Sequence, residues 1–258
     1  MISSANQPAN VPAPAPASTN IGAFFDIDGT LLPAPSLEWR FARYLFAHDK
    51  IRGANIVRWL AQGATNLLRN TNSALDANKY YLAQLRKSAV ADWENSLAAA
   101  SPGATPLSLF AEGVERISWH LAQGHRVFLV SGTLAPLAHI FAKLFCHTVS
   151  VRATELEVRD GHWTGELVGE HLSGDAKTRA ILKLARKHGL SLACSYAYGN
   201  EVADAPMLSA VGHAVAVNPS RAIARLAGNR GWQVRHWITP QAAHGKNSVR
   251  LIPAKETR

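Results

Sequence analysis

The sequence predicts an α/β protein: a mostly parallel sheet with helices on both faces, interrupted after its first strand by a helical insertion. Three observations predict it. Apolar runs of four to seven residues alternate with amphipathic helical stretches through the second half of the chain, the pattern of strands joined by helical crossovers. Gly124 and Gly189 stand just past two of those stretches, where a left-handed C-terminal residue favours glycine. A block rich in helical patterning, residues 34–111, separates the first apolar run from the others.

The elements follow in order. Residues 21–26, IGAFFD, are a short apolar run ending in an acid, suited to a buried strand. Leu37, Phe41, Tyr44 and Leu45 form a helical stripe, with Ser36 placed to cap it. Val57, Leu60, Ala61, Ala64, Leu67 and Leu68 form a second, helix-forming sequence fills 74–100, and SPGATP at 101–106 breaks it. Val114, Ile117 and Leu121 mark a helix ending at Gly124, before the strand run RVFLV at 126–130. Ser131-Gly132-Thr133 then opens a helix bearing Leu134, Leu137, Phe141 and Leu144, with a further strand expected at 148–151. Asp160-Gly161 between alternating flanks predicts a β-hairpin. A helix over 175–188 carries Ile181, Leu184 and Ala185, and strands are expected at 192–198, 213–217 and 232–237.

Composition narrows the function. The chain has 258 residues, 47% apolar, with a formal charge of +9, enough material for a sizeable core. Cys146 and Cys194 are its two cysteines, too few for a disulfide framework and without metal-ligand spacing, so a reducing, cytoplasmic compartment is expected. Residues 1–20 hold four prolines and no charge, the composition of a disordered tail rather than a secretory signal. No run of about 18 apolar residues spans a membrane. Residues 205–258 hold eight basic side chains and one acid, while 1–204 are nearly balanced. The excess is thus mostly C-terminal, with 239–258 reading as a basic tail. Without interleaved aromatics or a reading motif it does not indicate a nucleic-acid partner.

In an open parallel sheet, ligands bind beyond the carboxyl ends of the strands. The sequence puts Asp26, Asp28, Gly29 and Thr30 after the first strand, and Ser131, Gly132 and Thr133 after the second. Lys177 begins the helix after the hairpin, and Gly199, Asn200 and Asp204 follow the run CSYAY. Two acids, hydroxyls, a lysine, an amide and a further acid at one sheet edge suit a phosphate.

DIDGTLL at 26–32, SGT at 131–133, Lys177 and GNEVADAPML at 199–208 occur in that order, with supporting similarity at 153–169 and 211–220. Together they resemble the haloacid dehalogenase-like superfamily, and within it the phosphoserine phosphatase-like group. The likeness covers 21–33 and 112–236; residues 34–111 match only in being helical. It implies a Rossmann-like catalytic core (21–33 with 112–238), an inserted helical cap (34–111) and a small β-hairpin. It further implies Mg2+-dependent hydrolysis of a small phosphomonoester, a phosphorylated metabolite, through an aspartyl-phosphate. Asp26 then corresponds to the nucleophile and Asp28 to the general acid/base, its pKa raised by the Asp26 charge. Presence of this second acid favours phosphate esters over halides. Ser131, Gly132 and Thr133 correspond to the phosphate cradle at a helix N-terminus, and Lys177 to the group that neutralises phosphate charge. Asp26, the Asp28 carbonyl, Asn200 and Asp204 correspond to the metal site. The departure is Asn200, which stands where the family usually has an acid; an amide oxygen still ligates Mg2+, with one charge fewer, so weaker metal binding is expected. It also motivates an alternative, a non-catalytic phosphometabolite-binding or regulatory module.

In the cap, Trp39, Arg40, Arg43, Arg52, Arg58 and Arg69 read mainly as a solvated basic face. Pro35 stands where an amino-group-binding acid is expected of a phosphoserine enzyme, and Glu38 lies later, which favours a generic phosphatase. Trp163, beside the hairpin turn, is expected to pack.

Overall fold

The computed structural model describes residues 20–68, 78–100, 107–145 and 149–238. The readings of 1–19 and 239–258 as tails, of 101–106 as a breaker, and those involving Arg69 and Cys146 lie outside these residues. In chain order, β1 (Gly22–Phe25) leads into the cap helices α1 (Leu37–Ala47), α2 (Gly53–Leu68) and α3 (Ala89–Ala100). Then come α4 (Ala111–Ala122), β2 (Arg126–Leu134), α5 (Ala135–Lys143) and β3 (Ser150–Thr154). The hairpin strands β4 (Leu156–Arg159) and β5 (His162–Leu167) precede α6 (Asp175–His188) and β6 (Tyr196–Gly199). The chain finishes with α7 (Ala205–Ser209), β7 (His213–Val217), α8 (Arg221–Arg230) and β8 (Gln233–Arg235).

Six strands form one sheet in the order β3-β2-β1-β6-β7-β8, and every adjacent pair is parallel. From β1 the chain builds toward one edge, then returns to pair β6 on the other side. The switch point therefore falls at the carboxyl end of β1, where such sheets leave a crevice.

β1 is buried on both faces, which is why it reads as unbroken apolar sequence. Phe24 stacks on Phe128 at 5.3 Å on the side covered by Ile181 and Leu184 of α6. Phe25 stacks on Tyr198 at 4.2 Å on the opposite side. There the same apolar cluster takes in Ile117, Leu137 and Phe141 of the core and Leu37, Phe41 and Leu45 of the cap. Cap and core thus share buried surface next to the crevice.

The cap is less helical than expected. After Asn78 the chain makes a 3-10 turn, Tyr80–Leu82, and then pairs with the hairpin. Gln84 N donates to Trp163 O at 2.8 Å, Trp163 N to Leu85 O at 2.9 Å, and Lys87 N to Gly161 O at 2.9 Å. Exposed strand edges seek such partners; a helix here would leave the hairpin edge unpaired. Trp163 is fully buried, its ring 6.2 Å from Phe41, as its packing role requires. Asp160 and Gly161 both have positive φ, 51° and 75°, the tight-turn geometry that the Asp-Gly pair predicts.

Three boundaries also move. β3 begins at Ser150, later than expected. Residues 192–194 form a 3-10 turn before β6, closed by Ser195 N donating to Leu192 O at 3.1 Å. β8 is only Gln233–Arg235.

Candidate active site

Asp26 is the first residue past β1, and its N–H donates to Tyr198 O of β6 at 3.0 Å. That bond extends the β1–β6 pairing by one step and aims the side chain into the crevice. Lys177, in the first turn of α6, reaches the same point: its Nζ donates to Asp26 Oδ1 and to Asp204 Oδ1, each at 2.6 Å. All three side chains are buried.

Asp204 has its second oxygen occupied as well. Oδ2 accepts the N–H groups of Asn200 at 2.9 Å and Glu201 at 3.1 Å. With a bond to each of its oxygens, Asp204 ties Lys177 to the loop after β6. Asn200 presses its amide on the loop after β1: Thr30 Oγ1 donates to Asn200 Oδ1 at 3.3 Å. Gly29, at φ +82°, makes this approach possible, because a Cβ there would lie 2.1 Å from Asn200 Nδ2.

Asp28 points toward the cap. Its Oδ1 accepts the N–H of Leu37, the first residue of α1, at 2.6 Å. Ser36 caps that helix as expected, its Oγ accepting from Trp39 N at 3.2 Å. The acid therefore sits at the start of an insertion helix, joined to it through backbone.

Ser131 and Thr133 face the floor from β2. The expectation that Ser131-Gly132-Thr133 opens a helix is corrected: β2 runs on through them to Leu134, with a register shift against β3, and α5 starts at Ala135. Thr154 Oγ1 donates to Gly132 O at 2.8 Å, keeping this stretch tied to β3. Ser131 Oγ accepts from Thr133 N at 3.2 Å. Thr133 Oγ1 is buried yet has no hydrogen-bond partner among the described residues. A buried hydroxyl left unpaired is costly, and this one lines the cavity above Asp26, where an anionic oxygen would satisfy it.

The electrostatics follow from burial. Asp26 is pushed up to about 7, chiefly by burial, against the pull of Lys177 and with Asp204 and Asp28 adding to the rise. Asp28 is raised to about 6, again by burial; the Leu37 N–H opposes the rise and Glu38 adds to it. The expected cause, the Asp26 charge, is thus replaced by desolvation with a smaller contribution from Glu38. Burial disfavours the Lys177 ammonium, but Asp204 and Asp26 hold its pKa above the usual lysine value.

These groups floor a cavity of about 670 Å3 roofed by the cap. Among the lining residues that sequence reasoning missed are Lys79, Tyr81 and Trp59. Lys79 is buried and donates to both oxygens of Glu38, at 2.7 and 2.8 Å. Tyr81 OH donates to Glu38 Oε1 at 2.8 Å. Trp59 also lines the cavity, from α2. Lys79 and Glu38 are 41 residues apart, so no local spacing signals their pairing. Of the cap arginines, Arg40 holds the carbonyls of Pro35 and Pro33 at 2.8 and 3.1 Å. Arg43 lies 5.8 Å from the centroid of the Trp39 ring. Arg40, Arg43, Arg52 and Arg58 do not line the cavity, whereas Trp39 does.

Among the described residues no helix is long and apolar enough to cross a membrane. A model of the haloacid dehalogenase-like hydrolases matches residues 23–209. The phosphoserine phosphatase SerB1 of Mycobacterium tuberculosis is 32% identical over 246 residues, spanning 90% of this chain and 79% of that protein. A crystal structure of a protein of unknown function from Bordetella pertussis Tohama I is 28% identical, with a TM-score of 0.68 over 84% of this chain and 98% of that one. A phospho-aspartyl intermediate analogue of a phosphoserine phosphatase shares the fold, with a TM-score of 0.57 at 18% identity, covering 86% of this chain and 95% of that one.

Proposed function

Because this chain belongs to the haloacid dehalogenase-like hydrolases and is a phosphatase of the phosphoserine phosphatase-like group, we infer that it hydrolyses a small phosphomonoester through an aspartyl-phosphate on Asp26. The observation that supports this reading most is Lys177 bridging Asp26 and Asp204 at 2.6 Å on each side. It pins one Asp26 oxygen in a buried site with Asp28, Ser131 and Thr133 on the surrounding walls.

In the first half, the Asp26 carboxylate attacks phosphorus as the ester P–O bond breaks. Asp28 gives its proton to the departing alkoxide. Its Oδ1 is the acceptor of the Leu37 N–H, so the proton resides on Oδ2. A pKa raised to about 6 makes that proton available near neutrality. In the second half, the Asp28 carboxylate takes a proton from water, the water oxygen attacks phosphorus, and the acyl-phosphate bond breaks to release phosphate. Lys177 holds Asp26 in place and offsets charge on the phosphoryl oxygens. Ser131 and the unpaired Thr133 hydroxyl donate to those oxygens.

The residues fit a hard divalent cation. Asp26, the Asp28 carbonyl and Asn200 offer only oxygen donors, the set Mg2+ prefers. Even with Asp28 protonated, Asp26 and Asp204 share the single Lys177 ammonium, leaving negative charge that a cation offsets. When bound, Mg2+ supplies charge that screens nucleophile from phosphate. Asp204 supports the site through Lys177. The neutral amide of Asn200 predicts weak metal affinity. The free Cys194 is compatible with a reducing, cytoplasmic setting.

Turnover of p-nitrophenyl phosphate with and without Mg2+, for wild type and Asp26→Asn, tests the reading. The variant is expected to lose at least about 10^3-fold in kcat/KM, and wild type to form a beryllofluoride adduct at Asp26. Equal rates for the two proteins would refute the nucleophile. Neither adduct nor turnover in the presence of Mg2+ would favour the binding-module alternative instead.

A further inference from the structure

The roof of the cavity differs from its floor. α1 presents two apolar stripes. Leu37, Phe41 and Leu45 are fully buried in the shared core, which satisfies the packing needs of an amphipathic helix. Trp39, Ala42 and Phe46, spaced three and four apart on another face, line the cavity instead. From α2, Ile56 and Trp59 line it as well. Trp39, Phe46 and Ile56 remain 51%, 55% and 38% exposed, so this stripe packs against little of the protein.

The acid and the lysine that the cap places in the cavity wall are already paired with each other. Glu38 is held by Lys79 and by Tyr81, so its carboxylate is neutralised within the wall. At this wall an ammonium group of a substrate would have to displace the buried Lys79. The cap arginines of the described residues lie outside the lining, which leaves no guanidinium there for a substrate carboxylate.

We propose that the leaving group of the phosphomonoester is a bulky apolar alcohol, aryl or alkyl, seated on Trp39, Ala42, Phe46, Ile56 and Trp59, rather than a small amino-acid alcohol. The proposal rests on the phosphatase reading and adds its substrate class. The exposed stripe is then the half of an apolar contact that the substrate completes, and the cavity of about 670 Å3 falls in the ordinary range for organic ligands.

Primary alkyl phosphates from ethyl to octyl share nearly the same leaving-group chemistry and differ in apolar length, so they isolate the effect. For wild type, kcat/KM is expected to rise up to about fourfold per methylene until the trough is filled, reaching at least tenfold between ethyl and octyl phosphate. Phe46→Ala and Ile56→Ala, at exposed positions, are expected to reduce that octyl-to-ethyl ratio at least threefold. Benzyl against hexyl phosphate separates an aryl from an alkyl preference. A flat series, phosphoserine turned over as fast as octyl phosphate, or a ratio unmoved by both variants overturns the proposal and leaves the phosphatase reading standing. Failure to turn over any ester, p-nitrophenyl phosphate included, overturns both.

Discussion

His120, on α4, is fully buried behind the strands that carry the site. Its Nε2 meets the Tyr198 hydroxyl at 2.8 Å, and its Nδ1 meets His125 Nδ1 at 2.8 Å. Burial first, then His125 and Arg116, lower its pKa from 6.5 to about 3. The folded state therefore refuses a proton that the unfolded chain accepts. The stabilisation is complete above about 6.5 and is lost progressively as pH falls toward 3. Between pH 7.5 and 5.0 the difference in bound protons integrates to about 1.5 pH units. At about 1.36 kcal/mol per unit, this is about 2 kcal/mol. His120→Gln removes the titration while keeping a side chain able to hydrogen bond, and other groups titrate in both proteins. Urea unfolding at the two pH values is expected to show wild type losing about 2 kcal/mol more than the variant. The absolute stability of the variant does not enter the comparison. Equal losses within about 0.5 kcal/mol would refute the reasoning, because His120 would then be titrating alike in both states.

Three further outcomes follow from the site. Lys177→Met leaves Asp26 and Asp204 without their cation and should cost about 3–5 kcal/mol at pH 7.5; the cost should shrink at pH 5.5, as Asp26 takes up a proton, and a pH-independent cost in urea unfolding would contradict the pairing. Asn200→Asp adds a negative charge to the crevice that holds Asp26 and should lower the Mg2+ concentration for half-maximal activity about tenfold; an unchanged requirement in a metal titration would place Asn200 away from the cation. Gly29→Ala forces a Cβ to 2.1 Å from Asn200 Nδ2 at φ +82° and should cost more than about 1 kcal/mol with loss of Mg2+-dependent turnover; thermal melting unchanged from wild type would show that the two loops are not packed as described.

The sequence by itself determined the sheet, because strands buried on both faces must be apolar throughout: the run ending at Phe25 and HAVAV at 213–217 could serve as little else. It also placed Asp26, Asp28, Lys177 and Asn200 at one sheet edge, since each follows or opens an element whose type is locally encoded. Helix ends at Gly124 and Gly189, both at positive φ, were legible for the same local reason, as was the Asp160-Gly161 turn. What the tertiary structure decided is everything that depends on long-range pairing. Ser131-Gly132-Thr133 reads like a helix cap, yet pairing with β3 keeps it in the strand. Residues 78–88 read as helix, yet the edge of the hairpin draws them into bonds with Trp163 and Gly161. Only the fold committed both oxygens of Asp204 to Lys177 and a loop, raised Asp28 through burial rather than through Asp26, and matched Glu38 with Lys79 across the cap. Local propensity acts over a few residues, whereas desolvation and ion pairing depend on which distant segments close over a group, and no spacing along the chain encodes that.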